Sequence, residues 1–161
     1  MKIGVMADSH DNVPRIEQAV ALFNRRRVEL VIHAGDFVSP FALWPFAELR
    51  CPLLGVFGNN DGERVGLSRA FDKLGEVHPN LATTELAGRR IAAVHYPELA
   101  EPLAAGDVYD LVIYGHTHKV DLRPGPPVLL NPGEAGGWLS GKATVAIVDL
   151  PSLEVEIAEL A

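Results

Sequence analysis

The sequence predicts an α/β fold in which two β-sheets pack together and helices flank them. Short apolar, β-branched runs alternate with helical patterns up to Gly75, which is typical of β-α-β units and a parallel sheet. The second half holds several strand-like runs with one helical segment among them, which indicates a largely antiparallel set of strands. No low-complexity tract interrupts the chain, so we expect one domain, residues 1–161.

The first strand is predicted at residues 2–8, KIGVMAD, which are mostly apolar and of strand length. A helix follows, because apolar residues recur at helical spacing from Val13 to Phe23. Asn12 is a suitable N-cap, and Pro14 falls in the first helical turn, where proline is tolerated. A short loop therefore joins the first strand to the first helix.

Two further pairs of strand and helix follow in the same order. Residues 29–35 (ELVIHAG) and 52–58 (PLLGVFG) are apolar runs of strand length that end in glycine. Residues 39–49 begin with Ser-Pro, a helix start signal, and residues 64–75 also favour a helix. Crossovers between parallel strands are right-handed in almost all proteins, so we expect that hand here.

The second half is predicted to consist mainly of strands. Residues 82–96 are typical of a hairpin that turns at Ala87-Gly88, and residues 97–105 favour the one helix. Further strands are predicted at 110–115, 126–133, 142–150 and 153–160. These strands can form a second layer against the first sheet, which gives the two-sheet sandwich.

Composition narrows the class of protein and of partner. The formal net charge is −7, which disfavours a broad surface for the nucleic-acid backbone and hence a long polynucleotide partner. Cys51 is the one cysteine, so an intrachain disulfide is excluded. No run of about 18 apolar residues could span a bilayer, and no secretory leader precedes the first strand, so we expect a cytoplasmic protein without membrane contact.

Polar side chains follow five of the predicted strands. Ligand sites in such sheets lie outside the carboxyl ends of the strands, so these side chains are candidates for a common site. They are Asp8 and His10; Asp36; Asn59, Asn60 and Asp61; His95; and His116 and His118. The pair of histidines in Gly115-His-Thr-His can face one site only if the backbone turns between them, which Gly115 favours.

The donor types in this set predict transition metals. Imidazole nitrogen mixed with carboxylate and amide oxygen suits manganese, iron, nickel, cobalt or zinc better than calcium or magnesium alone, and the lack of thiols argues against structural zinc. Seven of these residues are candidate ligands: Asp8, His10, Asp36, Asn59, His95, His116 and His118. Seven ligands are too many for one tetrahedral ion and suit two ions that share a carboxylate. Asp36 is the candidate for that shared carboxylate. Two ions about 3.5–4 Å apart can hold a hydroxide between them and bind the oxygens of a phosphoryl group.

Each motif alone also has an ordinary interpretation. Asp8-Ser9-His10 could cap a turn, and Gly58-Asn59-Asn60-Asp61 is common turn chemistry. The joint occurrence of matched ligand types at five strand ends favours the metal site. Two other histidines receive no role: His33 is expected to satisfy a backbone group in the core, and His78 is expected in a loop before Pro79.

The order of motifs resembles the signature of the calcineurin-like metallophosphoesterases, and the chain looks like their small bacterial and archaeal phosphodiesterase branch. The resemblance runs from Asp8 to His118 and extends to Asn131–Glu134. It implies a four-layer α-β-β-α sandwich of two mixed β-sheets flanked by helices. It also implies a dinuclear centre with Asp8, His10, Asp36 and His118 on one metal and Asp36, Asn59, His95 and His116 on the other. We expect manganese, with nickel, iron, cobalt or zinc as alternatives.

The function predicted from this resemblance is hydrolysis of small phosphodiesters by in-line attack of a metal-bridging hydroxide. The residues given catalytic roles are His10 and Asn59, as ligands, together with Asn60 and Asp61. Asn60 is expected to donate a hydrogen bond to substrate, and Asp61 to orient His10. The oligomeric state is left open, and a homo-oligomer is compatible with the sequence.

Three positions depart from the family pattern. Asn60 stands where nuclease and phosphatase relatives have a histidine that protonates the leaving group, so we expect a preference for acidic leaving groups. Tyr96 stands where relatives usually have glycine, and it is expected to narrow the pocket or to stack on an aromatic group. Glu134 stands where relatives often have serine, and its charge is expected to select monoanionic diesters over dianionic monoesters.

Two other functions fit the resemblance. The eukaryotic retromer scaffold subunit resembles the same branch and acts through protein contacts, so a non-catalytic, metal-binding scaffold is one alternative. A phosphomonoesterase is the other. All seven metal positions hold competent ligands, including His95, and this completeness favours the enzyme.

Overall fold

The computed structural model describes residues 1–161 and confirms the α/β class. Its strands are β1 (Lys2–Met6), β2 (Leu30–His33), β3 (Leu53–Val56), β4 (Gly75–His78), β5 (Leu81–Leu86), β6 (Arg89–Val94), β7 (Leu111–Ile113), β8 (Val120–Arg123), β9 (Val128–Pro132), β10 (Thr144–Asp149) and β11 (Glu154–Glu159). Its helices are α1 (Val13–Arg26), α2 (Arg64–Phe71) and α3 (Pro97–Ala104), and Pro40–Glu48 form a 3-10 segment. None of the helices has the length and hydrophobicity that crossing a membrane requires.

The strands form two mixed sheets, as predicted. The six-stranded sheet has the order β11-β10-β1-β2-β3-β4, in which β1 to β4 are parallel. The pairs β1–β10 and β10–β11 are antiparallel, so the last two strands extend the first sheet, and the expectation that they belong to the second layer is wrong. The five-stranded sheet has the order β5-β6-β7-β9-β8. Its central strands β6, β7 and β9 are parallel, so the expectation of a largely antiparallel second half is wrong at its centre. The crossover helix α3 makes the parallel pairing of β6 with β7 possible, and the chain passes through β8 between β7 and β9.

Four layers follow from the distribution of apolar side chains. One cluster of buried residues packs α1, α2 and the 3-10 segment on the outer face of the six-stranded sheet. A second cluster fills the space between the two sheets, and a third packs α3 on the outer face of the other sheet. Alternate residues of a strand point to opposite faces, so Val31 joins the first cluster and Ile32 the second. The four-layer sandwich is therefore confirmed.

The start of α1 agrees with the sequence. The Asn12 side chain accepts a hydrogen bond from the Arg15 amide at 3.4 Å, and its own amide group donates to the Gly136 carbonyl at 2.7 Å. Ile16, Val20 and Phe23 form the buried face of the helix. Asn12 thus caps the helix and also fixes it to the loop after β9, next to the edge where the candidate ligands lie.

Two local predictions are wrong, and one strand was not predicted. The helix predicted at 39–49 is instead a 3-10 segment, Pro40–Glu48, because Pro45 lies inside it and lacks the amide that a regular α-helix needs. Residues Gly75–His78 form β4, so His78 is not in a loop; the predicted helix ends at Phe71. The strand β8 was not predicted, because its residues Val120–Arg123 are half-buried or exposed at a sheet edge and carry no apolar run.

Candidate metal centre

The candidate ligands lie at one edge of the sandwich. Strands β1, β2 and β3 are parallel in one sheet, and β6, β7 and β9 are parallel in the other. The predicted residues follow the carboxyl ends of these strands: Asp8 and His10 after β1, Asp36 after β2, Asn59, Asn60 and Asp61 after β3, His95 after β6, and His116 and His118 after β7. The packing of the two sheets brings the ends together.

Four of the predicted ligands form a first cluster. One donor atom from each of Asp8, His10, Asp36 and His118 can be chosen so that all four lie within 4.8 Å of one another. Nε2 of His10 lies 3.2 Å from Nε2 of His118 and 3.6 Å from Oδ2 of Asp36. This is the set that the family resemblance assigns to one metal.

The other predicted ligands form a second cluster around Asn59. Its side-chain oxygen Oδ1 lies 3.0 Å from Nε2 of His95 and 2.9 Å from Nδ1 of His116. Oδ2 of Asp36 lies 3.6 Å from Nε2 of His95. The same oxygen thus approaches a histidine of each cluster, which places Asp36 between them.

In the second cluster a ring nitrogen of His95 and the side-chain oxygens of Asn59 and Asp36 face one another, and none of these three atoms carries a hydrogen. Nδ1 of His95 lies 2.7 Å from the Ala34 carbonyl, which can only accept, so Nδ1 carries the proton. Burial lowers the pKa of His95, so the ring is neutral and its Nε2 bears a lone pair. That lone pair faces the oxygens of Asn59 and Asp36, which are acceptors as well. A cation among them satisfies all three, so these residues fit a metal ion.

The charge of the first cluster also fits a cation. The side chains of Asp8 and Asp36 are at most 1 % exposed, and the ionic partners within 4 Å of them are histidines, not lysine or arginine. Burial, together with the neighbouring charge of Asp36, raises the pKa of Asp8 from 3.8 to about 8. Two buried carboxylates without a positive partner are costly, and divalent metal would supply that charge.

The backbone is unusual at the same positions. Non-glycine residues with positive φ are uncommon, and they concentrate where the surrounding structure holds them. Five of the candidate ligands have this conformation: Asp8 (54°), His10 (42°), Asp36 (62°), His116 (69°) and His118 (59°). Gly115 permits the close approach of the histidine turn, because a Cβ there would lie 2.9 Å from Oδ2 of Asp8.

Asp61 has a different role from the one predicted. Its carboxylate is buried and accepts hydrogen bonds from the amides of Asp36 at 2.9 Å, Val38 at 2.7 Å and Gly58 at 2.7 Å. The hydrogen bonds of Asp61 therefore go to backbone and not to His10, and the prediction that it orients His10 is wrong. Asp61 instead fixes the loops after β2 and β3 to each other, and so it positions Asp36.

Asn60 also binds Asp36. Its backbone amide donates to Oδ1 and its side-chain Nδ2 to Oδ2, both at 2.8 Å. The side chain is at the surface, and Nδ2 retains a second hydrogen. Asn60 thus holds the carboxylate that both clusters share, and its role toward a substrate stays a prediction.

Tyr96 packs against ligands of the second cluster. Its ring lies edge-on to the rings of His95 and His116, with centroids 5.0 Å apart in both cases. The tyrosine therefore restricts these imidazoles and occupies space beside them. His33 behaves as predicted, since its Nδ1 accepts from the Gly35 amide at 3.2 Å in the core.

Glu134 lies behind the first cluster. Its carboxylate is buried, and Oε1 is 3.3 Å from Nδ1 of His118, without the alignment of a hydrogen bond. Burial opposes its ionisation, but hydrogen bonds from Ser140 and Leu139 outweigh burial and lower the pKa of Glu134. The carboxylate is therefore ionised at neutral pH and adds negative charge beside His118.

Sequence reasoning missed two residues near the site. Asn131 donates from Nδ2 to the Gly115 carbonyl at 2.8 Å and to the Thr117 hydroxyl at 3.1 Å, so it fixes the histidine turn. Trp138 donates from Nε1 to the His10 carbonyl at 3.1 Å. The NPGE motif pointed to Asn131 without its role, whereas nothing in the sequence pointed to Trp138.

Comparison with known proteins shows which family and which relatives the chain is similar to. The family model described as the calcineurin-like phosphoesterase superfamily domain matches residues 1–152. A phosphodiesterase of Methanocaldococcus jannaschii is 38% identical over 159 residues, which cover 96% of each chain. The solved structure of an archaeal phosphodiesterase has 35% identity, a TM-score of 0.93, and coverage of 99% of this chain and 100% of its own.

The fold is also found in Vps29, a protein whose sequence is much less similar to this chain. Vps29 of Chaetomium thermophilum superposes with a TM-score of 0.71 over 99% of this chain and 94% of its own, at 14% identity. This similarity shows the fold alone.

Proposed function

The chain belongs to the calcineurin-like phosphoesterase superfamily, and from this premise we propose that it is a phosphodiesterase that hydrolyses small phosphodiesters at a dinuclear metal centre. The observation that carries the proposal is the pair of donor clusters that share Asp36. The extensive similarity to archaeal phosphodiesterases supports the substrate class. We further propose that residues 1–161 act as one metallophosphoesterase domain.

The seven ligands divide between two divalent ions. We assign Asp8, His10, Asp36 and His118 to one ion and Asp36, Asn59, His95 and His116 to the other, with manganese as the preferred metal. When bound, the ions supply Lewis acidity that activates water and neutralises charge on the phosphoryl oxygens.

The protein's contribution is to fix this arrangement before substrate arrives. Asp61 binds the backbone of the Asp36 loop, and the Ala34 carbonyl sets the tautomer of His95. Asn131 fixes the turn that carries His116 and His118. Catalytic geometry held in this way costs no reorganisation during the reaction. No covalent intermediate is needed, since water can displace the leaving group in line.

The residue at position 60 is not expected to donate a proton to the leaving group. The Asn60 amide has no acidic proton and is bonded to Asp36. General acid catalysis contributes about 10²–10⁴-fold, so its absence slows esters of weakly acidic alcohols. Methyl p-nitrophenyl phosphate and ethyl methyl phosphate differ only in the second ester group. We therefore expect kcat/KM for methyl p-nitrophenyl phosphate to be at least about 10²-fold higher than for ethyl methyl phosphate. Equal kcat/KM values would contradict this prediction.

Glu134 is expected to favour monoanionic substrates through its charge. Two unit charges about 6 Å apart interact by roughly 0.7–3 kcal/mol, depending on the effective dielectric constant, so one extra negative charge on a monoester is disfavoured several-fold. Glu134→Gln should raise the ratio of monoester to diester kcat/KM by at least about threefold. The test compares p-nitrophenyl phosphate with bis(p-nitrophenyl) phosphate, with bound metal measured as the control. An unchanged ratio at normal metal content would remove the charge argument.

The experiment that tests the proposed function is hydrolysis of bis(p-nitrophenyl) phosphate by chelator-stripped protein, with and without added Mn²⁺. Turnover that depends on metal is expected. Folded protein that binds metal but shows no turnover would favour the non-catalytic scaffold, and a preference for the monoester would favour the phosphomonoesterase.

A further inference from the structure

Two exposed apolar side chains stand beside the first cluster. Trp138 is 64% exposed and Leu139 is 82% exposed, and together we call them the apolar rim. They line a cavity of about 220 Å³ whose other walls include His10 and His118. The rim therefore borders the place where a phosphoryl group would meet the first metal.

The rim is held firmly although it is exposed. The Glu134 carboxylate accepts hydrogen bonds from the amides of Trp138, Leu139 and Ser140 at 2.7–3.1 Å. Gly136 lies against the backbone of the ligand loop, with its amide 2.9 Å from the Asp8 carbonyl. These contacts fix the backbone of the rim, and the Trp138 side chain is held by its own hydrogen bond to the His10 carbonyl. A ring that is ordered before binding loses little entropy on binding.

The chemistry of the rim selects a flat apolar partner. The indole N–H of Trp138 is already bonded to His10, so the ring offers its face and no free donor. An aromatic face next to a phosphate site suits stacking with an aryl ring or a nucleobase, and such stacking depends little on which base is present. An alkyl ester has no flat ring that could stack on the face of Trp138.

We propose that the apolar rim binds an aromatic ester group of the substrate, so that the preferred substrates are phosphodiesters with an aryl or nucleoside group. This inference rests on the proposed phosphodiesterase function. It makes Trp138 a specificity residue, with Leu139 extending the same surface.

The test measures binding of two uncleaved anions that carry the same charge. Benzyl(methyl)phosphinate, which we call the phenyl compound, and propyl(methyl)phosphinate, which we call the ethyl compound, have CH₂ in place of the ester oxygen, so neither contains an ester bond that the protein could cleave. Calorimetric titration into Mn²⁺-loaded wild type should show tighter binding of the phenyl compound. Trp138→Ala should weaken that binding about tenfold and change binding of the ethyl compound less than twofold.

Two further variants separate stacking from structure. Trp138→Phe loses the hydrogen bond to His10 but keeps a ring, so it should retain most of the preference for the phenyl compound. Trp44→Ala removes another exposed tryptophan, which packs against Phe41, and should change nothing. Bound metal is measured for each variant, because a change there would act on both compounds.

The outcomes distinguish the rim from the proposed function. If wild type hydrolyses diesters and binds both phosphinates, but Trp138→Ala keeps the wild-type preference, the rim proposal is wrong. A loss of binding of both compounds to the same degree in Trp138→Ala would also contradict it. If wild type hydrolyses no diester and binds neither compound, the proposed function itself fails.

Discussion

Asp36→Asn is expected to lower kcat/KM for bis(p-nitrophenyl) phosphate by about 10³-fold or more, because it weakens both metal sites at once. Oδ2 of Asp36 lies 3.6 Å from a histidine of each cluster, so its charge serves both. The asparagine has one acceptor oxygen and so retains one of the two Asn60 hydrogen bonds. The backbone amide of residue 36 still donates to Asp61, so the fold should persist. Bound Mn²⁺ should fall from two equivalents to one or fewer.

Asp149→Asn provides the matched control for this substitution. Asp149 is a partly exposed residue on β10, and its carboxylate accepts a hydrogen bond from the Ser152 hydroxyl. Its replacement changes the net charge by the same amount and should leave activity and metal content unaltered. Asp36→Asn protein that is folded and retains more than a tenth of wild-type activity would contradict the bridging role.

Asp8→Asn is expected to change stability in opposite directions with and without metal. In metal-free protein the pKa of Asp8 is about 8 in the folded state, against 3.8 for an ordinary aspartate. The folded protein therefore holds this proton more tightly than the unfolded chain does. The contribution of Asp8 to stability is full below pH 3.8 and is lost as the pH rises toward 8.

The variant should thus be more stable than wild type at pH 8 in the presence of a chelator, by several kcal/mol as an order of magnitude. This gain should shrink steadily toward pH 4. With saturating Mn²⁺ the order should reverse, because wild type gains stability from the metal that the variant binds less well. Taking the difference between the two proteins cancels the titration of groups that the charge of Asp8 does not influence.

Urea unfolding of both proteins, at several pH values with EDTA and with Mn²⁺, measures this difference. A free-energy difference that does not vary with pH in EDTA would show that Asp8 is not a strained carboxylate in the metal-free protein. Equal stabilisation of both proteins by Mn²⁺ would remove Asp8 from the ligand set.

The sequence was informative about the ligands because they follow strand ends. Asp8, Asp36 and His95 each come directly after an apolar run, and parallel strands bring such positions to one edge. The backbone turns at His116 and His118 let both imidazoles of one short motif reach the site. A pattern in the chain could therefore indicate which residues converge.

The supporting contacts were less predictable because they depend on how distant loops pack. The carboxylate of Asp61 meets the backbone of Asp36 and Val38, which lie far away in the chain. Trp138 reaches the carbonyl of His10 only because the β9 loop folds over the β1 loop. No periodicity marks such contacts. Likewise, β8 and β4 form at edges by pairing with neighbours and not through apolar runs of their own.

In the proposed centre two ions share Asp36, and both are needed for phosphodiester hydrolysis. The most direct measurement adds Mn²⁺ stepwise to chelator-stripped protein, while bound metal and turnover of bis(p-nitrophenyl) phosphate are recorded together. We expect two equivalents to bind, with turnover that rises as the second is taken up. Binding of one equivalent only, or full turnover after the first, would contradict the dinuclear centre.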